Sequence, residues 1–292
     1  MNKRSIVKVP GSCGELVQGR INGKDFLVSC PVNLFSYVSV TVDTTGEIKC
    51  SQAKWKSKLA MRKTLDFFQL KNFGGEIKIN SEIPVGKGMA SSTADIVGVC
   101  LATSNAIGKS LQEIDIAKIA LSIEPTDGTV FKGITLFDHR KGLLYEHLGA
   151  SPRMKIFAID LGGYVDTIEF NKNDFTRIHQ SNESEIVNAL NLVRRGIKEK
   201  NISLIGKGAT ISAKANQKIL FKLELEKIIE LSYQFEALGV NVAHSGTMVG
   251  ILLKPEFDKI DILKLKIQET FQRKFQYYEL ELIGGGGESI EY

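Results

Sequence analysis

The sequence predicts an α+β fold in two domains, and three observations carry that prediction. Segments that alternate apolar and polar residues are interleaved with segments of helical period, in no strict βαβ order. With 292 residues and 43% hydrophobic content, the chain can bury a sizeable core without disulfide or metal staples. Near Ser151-Pro152 the chain restarts with "MKIFAIDLGG", which sets a boundary between a domain at 1–150 and another at 151–292.

In chain order, "SIVKVP" alternates and halts at Pro10-Gly11, so it reads as a strand ending in a tight turn. "KDFLVSCPVNLFSYVSVTVD" is a long β-rich stretch that Pro31 is expected to bend or confine to an edge. Lys54 to Leu70 places Trp55, Leu59, Leu65 and Phe68 near helical spacing, and its lysines read as a solvated helix face. "GGEIKINSEIP" returns to alternation and runs into "PVGKGMASSTADIVG", Pro84 to Gly98. The apolar residues that follow, from Ala94 to Ala102, predict a helix buried between layers. A second helix is predicted over Ile114 to Ile123, ending at "EPTDG". "GITLFDH" and "GLLYEHL" are expected to pair across Arg140-Lys141.

The second half reads as three helices, "ESEIVNALNLVRRGIKEK", "NISLIGKGATISAKANQKIL" and "ELEKIIELSYQFEALG", the last closed by Gly239 as a C-cap. "VNVAHSGTMVGILL" then predicts strand, loop, strand. A helix from about Phe257 to Phe271 and a final strand, "QYYELELIGGGG", complete the chain.

Composition excludes several functions. The 38 basic and 33 acidic residues leave a net charge of +5 with no basic block, which argues against a nucleic-acid surface. Cys13, Cys30, Cys50 and Cys100 form no C-x-x-C pair and have no histidine at ligand spacing, so a zinc site is not expected and reduced thiols are. The basic start meets proline and glycine before any apolar run of signal-peptide length, and no run approaches the ~20 apolar residues of a membrane span. The expectation is a cytoplasmic monomer or homodimer with no membrane and no nucleic-acid partner.

The loop at Pro84 to Gly98 carries the chemistry. A helix amino terminus offers unpaired N–H groups and the positive end of a dipole, both of which favour an anion. Gly86, Gly88 and Ala90 are small enough for a phosphate to approach the backbone. Ser91, Ser92 and Thr93 supply hydroxyls that can cap the helix, bind phosphate or ligate Mg2+. Taken alone, the loop reads equally as an anion cradle and as a helix cap. The G-x-x-x-x-G-K-[ST] pattern does not match, because Lys87 lies between the glycines.

The pattern P-x-G-x-G-[LM]-[AG]-S-S closely resembles the ATP-binding signature of the GHMP kinase superfamily, departing from its commonest form only at Met89 and Thr93. "PGSCGELVQG", "LVSCPV", "GMASSTADI" and "AHSGTMVGILL" together resemble the L-threonine kinase branch of that superfamily. The resemblance implies an amino-terminal ribosomal-protein-S5-like domain, a ferredoxin-like carboxy-terminal domain, and ATP and Mg2+ as cofactors. It assigns ATP to Pro84, Gly86, Lys87, Gly88, Met89, Ala90, Ser91, Ser92 and Thr93, and Mg2+ to Ser92 and Glu124. With these two it sets Asp127 as the base on the acceptor hydroxyl, although Asp127-Gly128 also reads as a plain turn.

A threonine acceptor asks for partners to an ammonium and a carboxylate. Val7 to Gly19 stands where the superfamily has its first motif, and there Ser12, Glu15 and Gln18 are candidates, with Glu15 suited to the ammonium. Asn241 to Leu253 is the match to its third motif, and there His244, Ser245, Gly246 and Thr247 are candidates beside the phosphates. The segment Asp160 to Thr167 reads as a further wall or as a hairpin turn. His139, His147 and His179 default to surface or turn positions, and Gly284 to Gly287, the competing candidate for the third motif's phosphate loop, to a flexible end or close-packed turn. The implied reaction is phosphorylation of L-threonine to O-phospho-L-threonine for the aminopropanol linker of cobalamin. Homoserine or another small hydroxy compound as acceptor, and a non-catalytic nucleotide-binding module, stay open at this point.

Overall fold

A computed structural model describes residues 3–50, 54–165, 167–170 and 172–290. Its strands are β1 (Lys3–Ile21), β2 (Lys24–Asp43), β3 (Ile48–Cys50), β4 (Gly74–Ser81), β5 (Ile134–Phe137), β6 (Tyr145–Gly149), β7 (Lys155–Asp160), β8 (Gly239–Val242), β9 (Met248–Leu253), β10 (Gln276–Glu281) and β11 (Glu288–Ser289). Its helices are α1 (Trp55–Phe67), α2 (Ser91–Ala106), α3 (Glu113–Leu121), α4 (Thr167–Phe170), α5 (Thr176–Lys198), α6 (Ile202–Asn216), α7 (Leu225–Gln234) and α8 (Ile260–Phe271). The strands hydrogen-bond in the order β10-β7-β9-β8-β1-β2-β4-β3, with β11 on β1 and the β5-β6 hairpin joined through β2. The α+β class read from the sequence is the class observed.

β1 and β2 form the long central hairpin. Their link is Asn22-Gly23, both at positive φ as a type I′ turn requires. The expected stop at Pro10-Gly11 does not occur, and β1 continues to Ile21. Pro10 pairs with Phe35 but Gly11 with Val32, so Asn33 and Leu34 of β2 are left out of register. The irregularity accommodates a residue that lacks an N–H and bends the strand. Gly11 is needed there, since a Cβ would lie 2.9 Å from the Met89 carbonyl oxygen. The second half of β1 thereby runs beneath the phosphate-type loop, and Ser12 N donates to Met89 O at 3.0 Å.

Helix α2 is buried as its composition requires: Ala94, Ile96, Val97, Val99, Cys100 and Ala102 are essentially inaccessible. It lies on β1 and β2, where Gly98 brings the helix close to Val38 and Val9. α7 ends at Gln234, with Phe235 as its cap, rather than at Gly239. Gly239 instead opens β8, against the Gly206 carbonyl oxygen, at a distance that admits no Cβ. The terminal glycines are a close-packed turn, with Gly285 N donating to Gly133 O and Gly286 N to Thr129 O.

The sheet crosses residue 150 without interruption, because β8 meets β1 at Glu15↔Val242. One hydrophobic cluster draws on both halves of the chain, including Val9, Val97, Ile156 and Ala189. A second lies wholly within residues 157–275, around Phe157, Ile228, Val249 and Leu263. The four cysteines are free, and burial pushes the Cys13 and Cys100 thiols up to about 12. Among the described residues, no helix is long and apolar enough to cross a membrane.

Candidate active site

The loop between β4 and α2 is held open by three left-handed residues, Gly86, Gly88 and Ala90, at φ of 74°, 78° and 58°. Ala90 is the N-cap of α2 and makes no side-chain capping bond. Helix geometry therefore leaves the N–H groups of Ser91, Ser92 and Thr93 without intrahelical acceptors. They open onto a cleft of about 340 Å³ lined by Pro84 to Gly86, Gly88 to Thr93, and residues of α1, of 124–127 and of the third motif. Ser91 does not cap the helix; it lines the cleft at the first helical position.

The third motif buttresses this loop from behind. Thr247 N and Met248 N donate to Lys87 O at 3.1 and 3.3 Å. A Cβ on Gly246 would lie 2.2 Å from that same oxygen. Gly246 and Thr247 thus support the phosphate-type loop and do not line the cleft, whereas His244 and Ser245 do. The Lys87 side chain turns away from the cleft to Asp160 Oδ2, at 2.7 Å, and to Gly163 O, at 2.8 Å. Asp160 also accepts from Thr247 Oγ1 and Gly162 N. Burial pushes the Asp160 carboxyl up, but these donors outweigh it and hold the group below the usual aspartate range. Tyr164 and Val165 do line the cleft, with the Tyr164 ring over Gly86. Asp166 lies outside the described residues.

At the mouth of the helix, Ser92 Oγ donates to Glu124 Oε1. Glu124 follows α3 and is 7% exposed. Its other oxygen is held at 2.5 Å by Lys56 Nζ. Neighbouring Lys54 pairs with Asp95 Oδ2 at 2.6 Å, and Ser36 Oγ donates to Asp95 Oδ1. The reading of this lysine-rich stretch as a solvated face fails at these two positions, because the first turn of α1 abuts the cleft. The sequence carries one signal of this arrangement: Asp95, an acid within an otherwise apolar buried helix, requires a cation. Nothing in the sequence marks Lys54 or Lys56 as that partner.

Beneath the loop lies a buried pair of acids. Glu15 on β1 sits opposite Ser29 on β2, and Ser29 Oγ donates to Asp127 Oδ1. Thr129 N donates to Asp127 Oδ1, so Asp127 also builds the plain turn that Asp127-Gly128 suggests. Burial raises the Asp127 carboxyl, against the donors around it. Burial, reinforced by the Asp127 charge, drives Glu15 well above the usual range. Glu15 Oε2 has no hydrogen-bond partner among the described residues, although the residue lines the cleft. A buried acceptor in that state calls for a donor from a ligand.

Ser12 is consumed structurally, donating to Gly14 O and accepting from Cys30 N, and it does not reach the cleft. Gln18 also stands behind the cleft wall. Its Nε2 donates to Val242 O at 3.2 Å and its Oε1 lies 2.9 Å from His244 Nδ1, which therefore carries the hydrogen. Burial and then the neighbouring His139 hold His244 well below the usual histidine range, so it is neutral. His139 lies in a turn, as its default reading allowed, but not at the surface: it is buried, lines the cleft and packs edge-on to His244 at 4.9 Å.

The donor set suits the implied cofactors. Ser92 and Glu124 offer hard oxygen ligands side by side, as Mg2+ prefers. No cluster of three or more His, Cys, Asp or Glu forms a metal cage among the described residues. A metal here would complete its shell with phosphate oxygens and water, which is the usual habit of Mg2+. The open end of α2 fits a phosphate chain.

Comparison with known proteins agrees with this geometry. Residues 55–135 match the family described as GHMP kinases N terminal domain. The chain is 34% identical over 289 residues to an L-threonine kinase of Salmonella typhimurium, covering 97% of this chain and 94% of that one. It is 33% identical over 263 residues to an L-threonine kinase of Citrobacter freundii, covering 89% and 90%. In fold it is similar to a homoserine kinase from Cytophaga hutchinsonii, with a TM-score of 0.76 at 16% identity over 99% and 98% of the two chains. With residues 55–135 matching the family and relatives 33–34% identical over most of its length, the chain belongs to the GHMP kinase family.

Proposed function

We propose that this chain transfers the γ-phosphoryl group of ATP to the hydroxyl of L-threonine, giving O-phospho-L-threonine and ADP. The observation that carries this reading is the convergence, in one cleft, of the α2 amino terminus, the Ser92–Glu124 pair and the buried acids Glu15 and Asp127. Phosphoryl transfer needs positioning and charge stabilisation more than covalent help, and these groups supply both. The N–H groups of Ser91 to Thr93 face the nucleotide phosphates. Ser92 and Glu124 would hold Mg2+, which would supply charge neutralisation for the phosphate chain.

The acceptor lies towards β1. Glu15 Oε2, buried and without a donor, takes the threonine ammonium, which restores the charge that burial opposes. Asp127 takes the proton of the β-hydroxyl, and its raised affinity for protons suits that task. His244, with Nδ1 committed to Gln18, presents its other ring edge as an acceptor, beside Ser245. The domain division at residue 150 and a cytoplasmic role in assembling the aminopropanol linker of cobalamin belong to the same proposal, supported by the resemblance to L-threonine kinases.

A coupled assay for ADP release with L-threonine and with L-homoserine tests the reading. The expected result is a larger kcat/KM for threonine, with phosphothreonine as the product by 31P NMR. A larger value for homoserine overturns the acceptor. An ATP-binding chain that releases no ADP with either amino acid overturns the threonine-kinase reading.

A further inference from the structure

The seat assigned to the metal already holds a cation. Lys56 Nζ lies 2.5 Å from Glu124 Oε2 and 3.5 Å from Ser92 Oγ, while Ser92 Oγ donates to the other Glu124 oxygen. The Glu124 side chain is 5% exposed and that of Lys56 25%, so the carboxylate has little water of its own and depends on the ammonium for neutralisation. The other lysine lining the cleft, Lys54, is committed to Asp95, which Ser36 also binds. Lys87 is committed to Asp160. Lys56 differs from both because its partner is a group that the reaction uses.

Its side chain suits exchange. A lysine is a compact charge on a flexible four-carbon stem with three rotatable donors, so it can leave one oxygen for another without the planar, two-point fit of an arginine. It stands on the first helical turn of α1, at the wall of the cleft, and Ser92, at the open end of α2, lies 3.5 Å from its Nζ.

We propose that Lys56 is a placeholder for the divalent ion: in the nucleotide-free chain its ammonium neutralises Glu124, and when nucleotide and metal enter it yields Glu124 and moves to the nucleotide's phosphate chain. The inference rests on the reading above that Ser92 and Glu124 take the metal. Two consequences follow that activity alone would not reveal. The nucleotide-free chain disfavours divalent ions, since Lys56 competes for their ligand. Without metal, the same lysine stays on Glu124 and supports ATP by cancelling the carboxylate charge that would repel the phosphates.

The test is binding, on the full chain. Free Mn2+ is followed by its EPR signal without nucleotide, and ATP binding by calorimetry in the presence of EDTA, for the parent, Lys56→Met and Glu124→Gln. Lys56→Met should bind Mn2+ about tenfold more tightly than the parent and metal-free ATP about tenfold more weakly, each a shift of ~1.4 kcal/mol. Lys56→Gln, which can still donate to Glu124, serves if circular dichroism shows that the methionine variant does not fold; it should shift both affinities in the same directions. Unchanged or weaker Mn2+ binding in the folded lysine variant, with Glu124→Gln lowering nucleotide-free Mn2+ binding below that of the parent, overturns the placeholder while the metal seat stands. If Glu124→Gln leaves that Mn2+ binding intact, the metal seat itself is wrong, and the placeholder fails with it.

Discussion

Glu15 shows how a single side chain can cost stability and supply function. Burial and the nearby Asp127 raise its folded-state pKa well above the unfolded value, and one of its oxygens lacks a partner. A carboxyl raised in this way contributes its full stability below the unfolded pKa, about 4.3 for glutamate, and loses it as pH rises through the folded value. Glu15→Gln cannot ionise, so its melting temperature should exceed that of the parent at pH 8 and the gain should vanish near pH 4. On the proposal that Glu15 takes the ammonium, the same variant should lose about 2 kcal/mol or more of threonine recognition in kcat/KM. A melting temperature equal to the parent's at pH 8 would show that the carboxylate is not strained by burial. The residue was readable as a candidate from "PGSCGELVQG"; its shared environment with Asp127, through Ser29, was not, because the three lie on β1, on β2 and after α3.

At the level of elements, two loops from distant parts of the chain hold one another. The carbonyl of Lys87 accepts from Thr247 N and Met248 N, and Gly246 passes so close that only hydrogen fits. Gly246→Ala should push the loop towards the cleft, costing about 1–3 kcal/mol of stability and raising the KM for ATP more than the KM for threonine. A thermal melt with the two KM values checks this, and an equal rise in both would place Gly246 in the acceptor site after all. The strands and helices themselves were largely legible, since α2, the β5-β6 hairpin and the β8-loop-β9 unit follow from periodicity and turn residues. The misreadings occurred where tertiary contact overrode a local signal. β1 survives Pro10-Gly11 because β2 absorbs the irregularity, and Gly239 serves packing rather than capping.

For the whole molecule, the continuous sheet and the shared core bear on how the chain unfolds. The larger cluster joins β1, β2 and α2 to Ile156, Ile186, Val193 and Leu252 from beyond residue 150. Separating the halves would expose that surface, so urea unfolding should be a single cooperative transition. Trp55, the only tryptophan and a residue of the cleft wall, reports from the first half, and far-ultraviolet circular dichroism reports from the whole. Coincident curves are expected. A tryptophan transition at lower urea than the dichroism transition would show that the halves unfold as separate domains.

The sequence by itself determined the α+β class and a glycine-serine loop opening α2, because these depend on periodicity and turn chemistry within short spans; the phosphate reading of that loop and the choice of the glutamate and aspartate after α3 came from the resemblance of its motifs to the GHMP kinases. Only the tertiary structure decided which charges face each other. Lys87, between the glycines of the loop, turns outward to Asp160, while Lys56, on an ordinary-looking helix, turns inward to Glu124. Both depend on which elements abut after folding, and a buried carboxylate takes whichever cation the packing brings within reach.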